Sequence, residues 1–133
     1  MRLIVDVDGT LTRDNPDLDY ADREPRADVI NRVNLLHERG VSVVIYSARN
    51  MRTHKGNLGR INKHTLPTLI TWLDRHGVKY DEIYMGKPWC GHDGFYVESR
   101  SMRPDRFVNL SLPELESLLE VANTDDTETG HRD

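Results

Sequence analysis

The chain begins with MRLIVDVDGTLT (residues 1–12), a short apolar run that ends on acidic residues. The apolar residues 3–5 are typical of a strand buried in a core. Asp6 and Asp8 follow two residues apart, just ahead of Gly9. Side chains two apart on a strand point to the same face, so both carboxylates can flank one ligand where the strand ends.

Length and composition predict a single soluble domain. The 133 residues suffice for one core, expected over residues 1–122, and the polar residues 123–133 are expected to form a disordered tail. Cys90 is the single cysteine, which excludes an internal disulfide and suits the cytoplasm. No secretory signal or segment of about 18 apolar residues is present, so no membrane association is expected. A net charge of −4 argues against nucleic acid as a partner.

Apolar periodicity predicts strands that alternate with helices. After the first strand, further strands are expected at residues 41–47, 81–86, 94–98 and 106–109. Helices are expected over residues 26–39, over residues 66–76 with Thr65 as N-cap, and from Ser111, which forms a capping box with Glu114. Residues 11–24 and 48–64 are interpreted as polar loops. This order predicts an α/β fold, a three-layer α/β/α sandwich around a mostly parallel five-stranded sheet.

Functional side chains follow four of these strands. The carboxyl ends of parallel strands meet at one edge of a sheet, where such folds bind their ligands. The side chains expected there are Asp6, Asp8, Ser47, Lys87 and Glu98. Each alone is more often structural, but together they supply the groups that phosphoryl transfer needs: a carboxylate nucleophile, a second acid, charge-neutralising donors and ligands for Mg²⁺.

The motif DVDGT at the end of the first strand resembles the first motif of the haloacid dehalogenase superfamily, in which phosphatases predominate. The resemblance extends from Leu3 to about Leu119, with the other motifs in order, and implies a Rossmann-like core. The stretches YSARNMRTHKGNLGRINKHTLP and GKPWCGHDGFYV resemble more narrowly the small phosphatase-like proteins encoded with bacterial capsular polysaccharide genes. The short gaps after the first and third strands leave no room for a cap domain, so a capless member is expected.

The resemblance implies a role for each residue of the site. Asp6 would be the nucleophile and Asp8 the general acid and base, while Ser47 and Lys87 would contact the transferring phosphoryl group. Asp6, Asp8 and Glu98 would hold Mg²⁺. Thr10 is expected to hold the turn after the first strand and is counted with the substrate-binding residues. The family's fourth motif has two adjacent aspartates where this chain has Glu98 and Ser99, which puts metal binding and activity in doubt.

A segment rich in basic residues follows Ser47 directly. Between residues 49 and 64 it has five basic residues and no acid: Arg49, Arg52, Lys55, Arg60 and Lys63. It is either a solvated loop or a clamp for the part of an anionic substrate beyond the phosphate. Because a capless site is open, a homo-oligomer is expected to shield it, through residues 11–24 or 48–64.

Three functions remain open at this point. The first is a Mg²⁺-dependent phosphatase that acts on a small phosphorylated metabolite, such as a sugar phosphate of polysaccharide synthesis. The second is a nucleic-acid end phosphatase, against which the acidic net charge weighs. The third is a catalytically weak relative that binds a phosphorylated ligand or a partner enzyme.

Overall fold

The structure is a computed structural model that describes residues 2–118. The chain divides into two compact units, Met1–Ser99 and a second unit that begins at Arg100. Over residues 2–118, no helix has the length and apolar character needed to cross a membrane. The tail predicted at residues 123–133 lies outside the described residues, and the prediction of one domain over residues 1–122 stays a prediction.

The first unit is built on a parallel sheet. Its strands are β1 (Arg2–Asp6), β2 (Ser42–Ser47) and β3 (Glu82–Met85), in the spatial order β1-β2-β3. Asp6 pairs with Tyr46, and Ser47 pairs with Met85. The carboxyl ends of the three strands therefore lie at the same edge, as the sequence predicted.

Helices connect successive strands of this sheet. A 3₁₀ turn (Tyr20–Asp22) and α1 (Ala27–Glu38) lie between β1 and β2, and α2 (Leu58–His64) and α3 (Leu66–Arg75) lie between β2 and β3. Both crossovers run in the same direction, so right-handed connections place their helices on the same face of the sheet. The largest fully buried side chains of this unit include Trp72, Leu11, Ile45, Ile61, Leu69 and Leu73.

The five-stranded sheet is not found in the described residues, which form three strands. Residues 94–98, predicted as a strand, have no strand pairing, and Phe95 and Val97 are 83% and 86% exposed. Alternating apolar residues predict a strand only where one face of the strand is buried, and the side chains of Phe95 and Val97 are not buried. With helices on one face of the sheet in the first unit, the predicted third layer is not shown either.

Residues 106–109 were predicted to form a strand, but they lie in helix α4 (Pro104–Asn109) of the second unit. Pro104 is favourable in the first turn of a helix, and Asp105 beside it suits the positive end of the helix dipole. These start signals outweigh the β-propensity of Phe107 and Val108. In the same unit residues 112–118 are helical, and Ser111 and Glu114 exchange the two 3.2 Å hydrogen bonds of the predicted capping box.

Helix α2 was not predicted, because residues 48–64 look too polar for a core helix. Asn57 caps this helix by accepting a hydrogen bond from the Arg60 amide, and Ile61 alone is fully buried. The predicted N-cap Thr65 does stand at the start of α3, but its side chain makes no capping bond. Its hydroxyl donates instead to Asn50 Oδ1, at 2.7 Å.

Candidate active site

The turn after β1 sets the two acidic side chains on one side of the chain. Val7, which lies between them, is completely buried, and its carbonyl accepts hydrogen bonds from three successive amides, at residues 10–12. Gly9 has φ of 81°, a left-handed conformation that glycine adopts without strain. The buried valine therefore directs Asp6 and Asp8 away from the core, toward the same edge of the sheet.

Asp6 has a loose set of partners. Its carboxylate lies 3.8 Å from Lys87 Nζ and accepts a 3.4 Å hydrogen bond from the Thr10 hydroxyl. Burial raises the pKa of the Asp6 carboxyl, Lys87 opposes this rise, and the nearby Asp8 carboxylate adds to it. The side chain remains 36% exposed. Asp6 is thus a partly accessible carboxylate with Lys87 as its neighbouring cation.

Asp8 is held much more tightly. Arg49 binds it through Nε, at 2.9 Å from Oδ2, and through Nη2, at 3.0 Å from Oδ1. This is the bidentate pairing in which a guanidinium fixes both the position and the plane of a carboxylate. Arg23 Nη1 adds a third contact, 3.4 Å from Oδ1. Arg49 is fully buried and the Asp8 side chain is 26% exposed, so removing Asp8 would leave the Arg49 charge buried without a counter-charge.

An aromatic ring from the loop between β1 and α1 stacks with both arginines. The guanidinium carbons of Arg49 and Arg23 lie 4.3 and 4.6 Å from the centroid of the Tyr20 ring. The main chain beside it is tied to α3, because Trp72 Nε1 donates to the Arg23 carbonyl at 2.8 Å and Arg75 donates to the Ala21 carbonyl at 3.2 Å. The main chain of residues 20–23 is therefore held in place next to Asp8.

Ser47 and Lys87 come together as the sequence predicted. The Lys87 amide donates to the Ser47 carbonyl at 3.1 Å. The Ser47 hydroxyl is buried and accepts a hydrogen bond from the Arg49 amide, which leaves its proton available for a ligand. The Lys87 ammonium lies 4.3 Å from the ring centroid of Tyr96. The Tyr96 hydroxyl in turn donates to the Pro88 carbonyl at 2.7 Å, which holds the tyrosine ring next to the lysine.

The predicted metal ligands are only partly gathered. Within residues 2–118, no group of three or more His, Cys, Asp or Glu side chains is arranged to hold a metal ion. Glu98 lies on the exposed loop after β3 and does not join Asp6 and Asp8 in such a group. The remaining donors still suit Mg²⁺, which commonly takes one or two protein carboxylates and completes its shell with water and substrate oxygens.

The basic segment divides into two parts. Arg49 has a fully buried side chain, and its hydrogen bonds go to Asp8. The remaining four basic residues are exposed: Arg52, Lys55, Arg60 and Lys63. Arg52 lies 6.0 Å from the ring centroid of Trp89, which is 41% exposed.

Tyr20, Arg23 and Tyr96 were missed from the sequence as contributors to the site. The acidic loop that carries Tyr20 and Arg23 has no motif or periodicity to mark them. Tyr96 belongs to an alternating apolar run, which favoured a strand. A pair of one aromatic and one basic residue three apart, Tyr20 and Arg23, was the one available signal.

Fold and site together define the class of protein: an α/β protein with two carboxylates at the carboxyl edge of a parallel sheet, one paired with a lysine and the other with two arginines. No model of a known protein family matches the chain, and no curated protein matches it. A solved structure of a structural-genomics target from Vibrio cholerae shares 53% identity, with a TM-score of 0.84, over 91% of this chain and 98% of its own. The chain belongs to the same family as that Vibrio cholerae protein.

A second solved structure overlaps with the chain more distantly. It is a D,D-heptose 1,7-bisphosphate phosphatase from B. bronchiseptica complexed with magnesium and phosphate. The identity is 18% and the TM-score 0.44, over 71% of this chain and 53% of the phosphatase. An overlap of this size does not transfer a function, so the functional argument depends on the site's own geometry.

Proposed function

We propose that the protein is a Mg²⁺-dependent phosphatase that hydrolyses phosphate monoesters through an aspartyl-phosphate on Asp6. The observation that carries the proposal is the pairing of a half-buried but accessible Asp6 carboxylate with Lys87, 3.8 Å away, beside a second carboxylate that two arginines hold in place. A nucleophile must be reachable, whereas an acid–base group must be oriented. Asp6 and Asp8 differ in that sense.

The reaction would have two steps. A carboxylate oxygen of Asp6 attacks phosphorus, the bond to the leaving oxygen breaks, and that oxygen takes a proton from Asp8. A water molecule then gives a proton to Asp8 and attacks the aspartyl-phosphate, which releases inorganic phosphate and restores Asp6. Lys87 and the Ser47 hydroxyl would contact the phosphoryl oxygens, where negative charge must be offset.

Mg²⁺ would supply further charge neutralisation and orient the phosphoryl group. The Asp6 carboxylate and, by the family resemblance, the main-chain carbonyl of Asp8 would hold the ion. Glu98 remains a candidate third ligand, although it is exposed and, within residues 2–118, does not form a group of three possible ligands with the two aspartates.

We further propose a small phosphorylated metabolite as the substrate, with sugar phosphates of polysaccharide biosynthesis as the first class to screen. Exposed Trp89 beside Arg52 suits the apolar face of a sugar together with an anionic group. A homo-oligomer that shields the site and a cytoplasmic location remain proposals of the same kind.

A second function is favoured by one observation, the separation of Glu98 from Asp6 and Asp8. The protein would then be a catalytically weak relative that binds a phosphorylated ligand or a partner enzyme. A screen of phosphorylated metabolites with purified protein, in Mg²⁺ and then in excess chelator, distinguishes the two. Chelator-sensitive release of phosphate supports the phosphatase, and saturable binding without release supports the weak relative. A steep salt dependence of substrate binding would point to the nucleic-acid alternative.

A further inference from the structure

Arg49 differs from the other basic residues of its segment in having no exposed charge to offer a substrate. Its side chain is fully buried, and within the described residues each hydrogen bond of its guanidinium goes to the Asp8 carboxylate. The remaining nitrogen, Nη1, is buried without a hydrogen-bond partner in that part of the chain. The Arg49 guanidinium therefore has Asp8 as its hydrogen-bond partner.

The main chain around Arg49 is fixed on both sides. Its amide donates to the Ser47 hydroxyl at 3.1 Å. The next residue, Asn50, has φ of 58°, a left-handed conformation that asparagine adopts more readily than most residues other than glycine, and the Thr65 hydroxyl donates to its side-chain oxygen at 2.7 Å. These contacts fix the main chain on both sides of Arg49.

The plane of the guanidinium is fixed as well. The Tyr20 ring lies close to the guanidinium carbons of both Arg49 and Arg23, and hydrogen bonds to α3 fix the adjoining main chain. Aromatic stacking restricts rotation of the arginine side chain while leaving its edge free for the carboxylate. These contacts form a unit of Arg49, Arg23 and Tyr20 around one carboxylate.

We propose that Arg49, held by Tyr20 and assisted by Arg23, is a positioning residue that fixes the Asp8 carboxylate for proton transfer to and from the reacting oxygen. The inference rests on the proposed phosphatase function and adds the group that orients its acid–base residue. A displacement of about 1 Å in a catalytic group can cost about a hundredfold in rate, so precise orientation of Asp8 has a measurable value. Arg49 then acts through Asp8 and does not contribute to the binding of the distal part of the substrate.

The test separates kcat from KM for a small phosphate ester in Mg²⁺. Arg49→Ala should lower kcat by about a hundredfold with KM within about twofold, and Arg49→Lys, which keeps the charge but not the fork, should lower kcat by about tenfold. Millimolar guanidinium should restore part of the kcat of Arg49→Ala, because it can replace the lost group. Tyr20→Ala should lower kcat more than Tyr20→Phe, which keeps the stacking ring. Arg13→Gln, an exposed arginine at the start of the same loop, is the matched control and should stay within about twofold.

A raised KM with unchanged kcat in Arg49→Ala would overturn the proposal and assign Arg49 to substrate binding. Wild-type kinetics in both Arg49 variants would overturn it as well. Circular dichroism and thermal unfolding check the fold, and if Arg49→Ala does not fold, Arg49→Lys and Tyr20→Ala decide the question by the same kcat criterion. A wild-type protein without turnover, or an Asp6→Asn variant with full turnover, would overturn the phosphatase proposal itself. If the wild type is active, a negative result for the Arg49 variants overturns only the role proposed for Arg49.

Discussion

Asp6 and Asp8 are two residues apart on the same side of the chain, yet their surroundings differ sharply. Asp6 has one cation, Lys87, at 3.8 Å and a weak hydrogen bond from Thr10. Asp8 has a bidentate arginine at 2.9 to 3.0 Å, with a second arginine beside it. The comparison indicates that a single motif can place two identical side chains in different roles, because the groups contacting them come from different parts of the chain.

The most severe test of this contrast is Asp6→Asn. The amide has nearly the same shape but is a poor nucleophile, so turnover should fall by at least about a thousandfold while the fold is retained. Phosphate release measures the loss, and mass spectrometry of acid-quenched wild type should detect a phosphoryl group on Asp6. A folded variant with wild-type turnover would remove Asp6 from the nucleophile role.

Replacing the cation of Asp6 should have the next largest effect. Lys87→Met keeps the length of the side chain and removes the charge that offsets both Asp6 and the phosphoryl oxygens, so kcat/KM should fall by about a hundredfold. Steady-state kinetics with a small ester measures the change. Lys79→Met, a change of the same type at an exposed lysine, is the matched control. Equal kinetics in the two variants would contradict a role for Lys87.

The exposed basic residues should matter only when the substrate is large enough to reach them. For the true substrate, at least one of four alanine variants should lose about tenfold or more in kcat/KM, whereas for a small ester all should stay within about twofold. The variants change Arg52, Lys55, Arg60 and Lys63 one at a time. If all four keep full kcat/KM with the true substrate, these residues are a solvated surface.

A third aspartate, Asp81, lies outside the candidate active site, and replacing it should have the smallest effect of these variants. Asp81 accepts hydrogen bonds from the Val43 amide, at 2.8 Å, and from His37, at 3.2 Å, and the amide is the main cause of the lowered pKa of its carboxyl. A lowered pKa means that the carboxylate stabilises the fold above the unfolded-state value of about 3.9 and that this contribution is lost as the pH falls through the folded-state value.

Asp81→Asn should therefore lower the unfolding temperature at pH 7 by a few degrees and leave kcat unchanged. The difference from wild type should shrink as the pH is lowered below about 4. Asp14→Asn, at an exposed position of the loop before α1, is the control for the loss of one negative charge. A difference that stays constant with pH would contradict a role for the ionised carboxylate.

The sequence determined the parts of this protein that depend on local chemistry. Strands β1 to β3, helices α1 and α3 and the Ser111 capping box follow from periodicity, β-branched residues and end signals. Asp6, Asp8, Ser47 and Lys87 were predicted to meet because parallel strands align their carboxyl ends. Helix α2 escaped prediction because it depends on one cap, Asn57, and one buried residue, Ile61, which average composition does not reveal. Residues 106–109 escaped prediction because their helix-start signals, Pro104 and Asp105, precede the segment that was assigned as a strand.

Only the tertiary structure decided what each charged residue contacts. Arg49 and Arg52 look alike in the sequence, but one is buried against Asp8 and the other lies at the surface near Trp89. Tyr20 contacts Arg49, which lies 29 residues later in the chain, and no local sequence pattern encodes such a contact. The physical reason is that the strength of a charge depends on burial and on the partner's geometry, and both arise only when distant segments pack together.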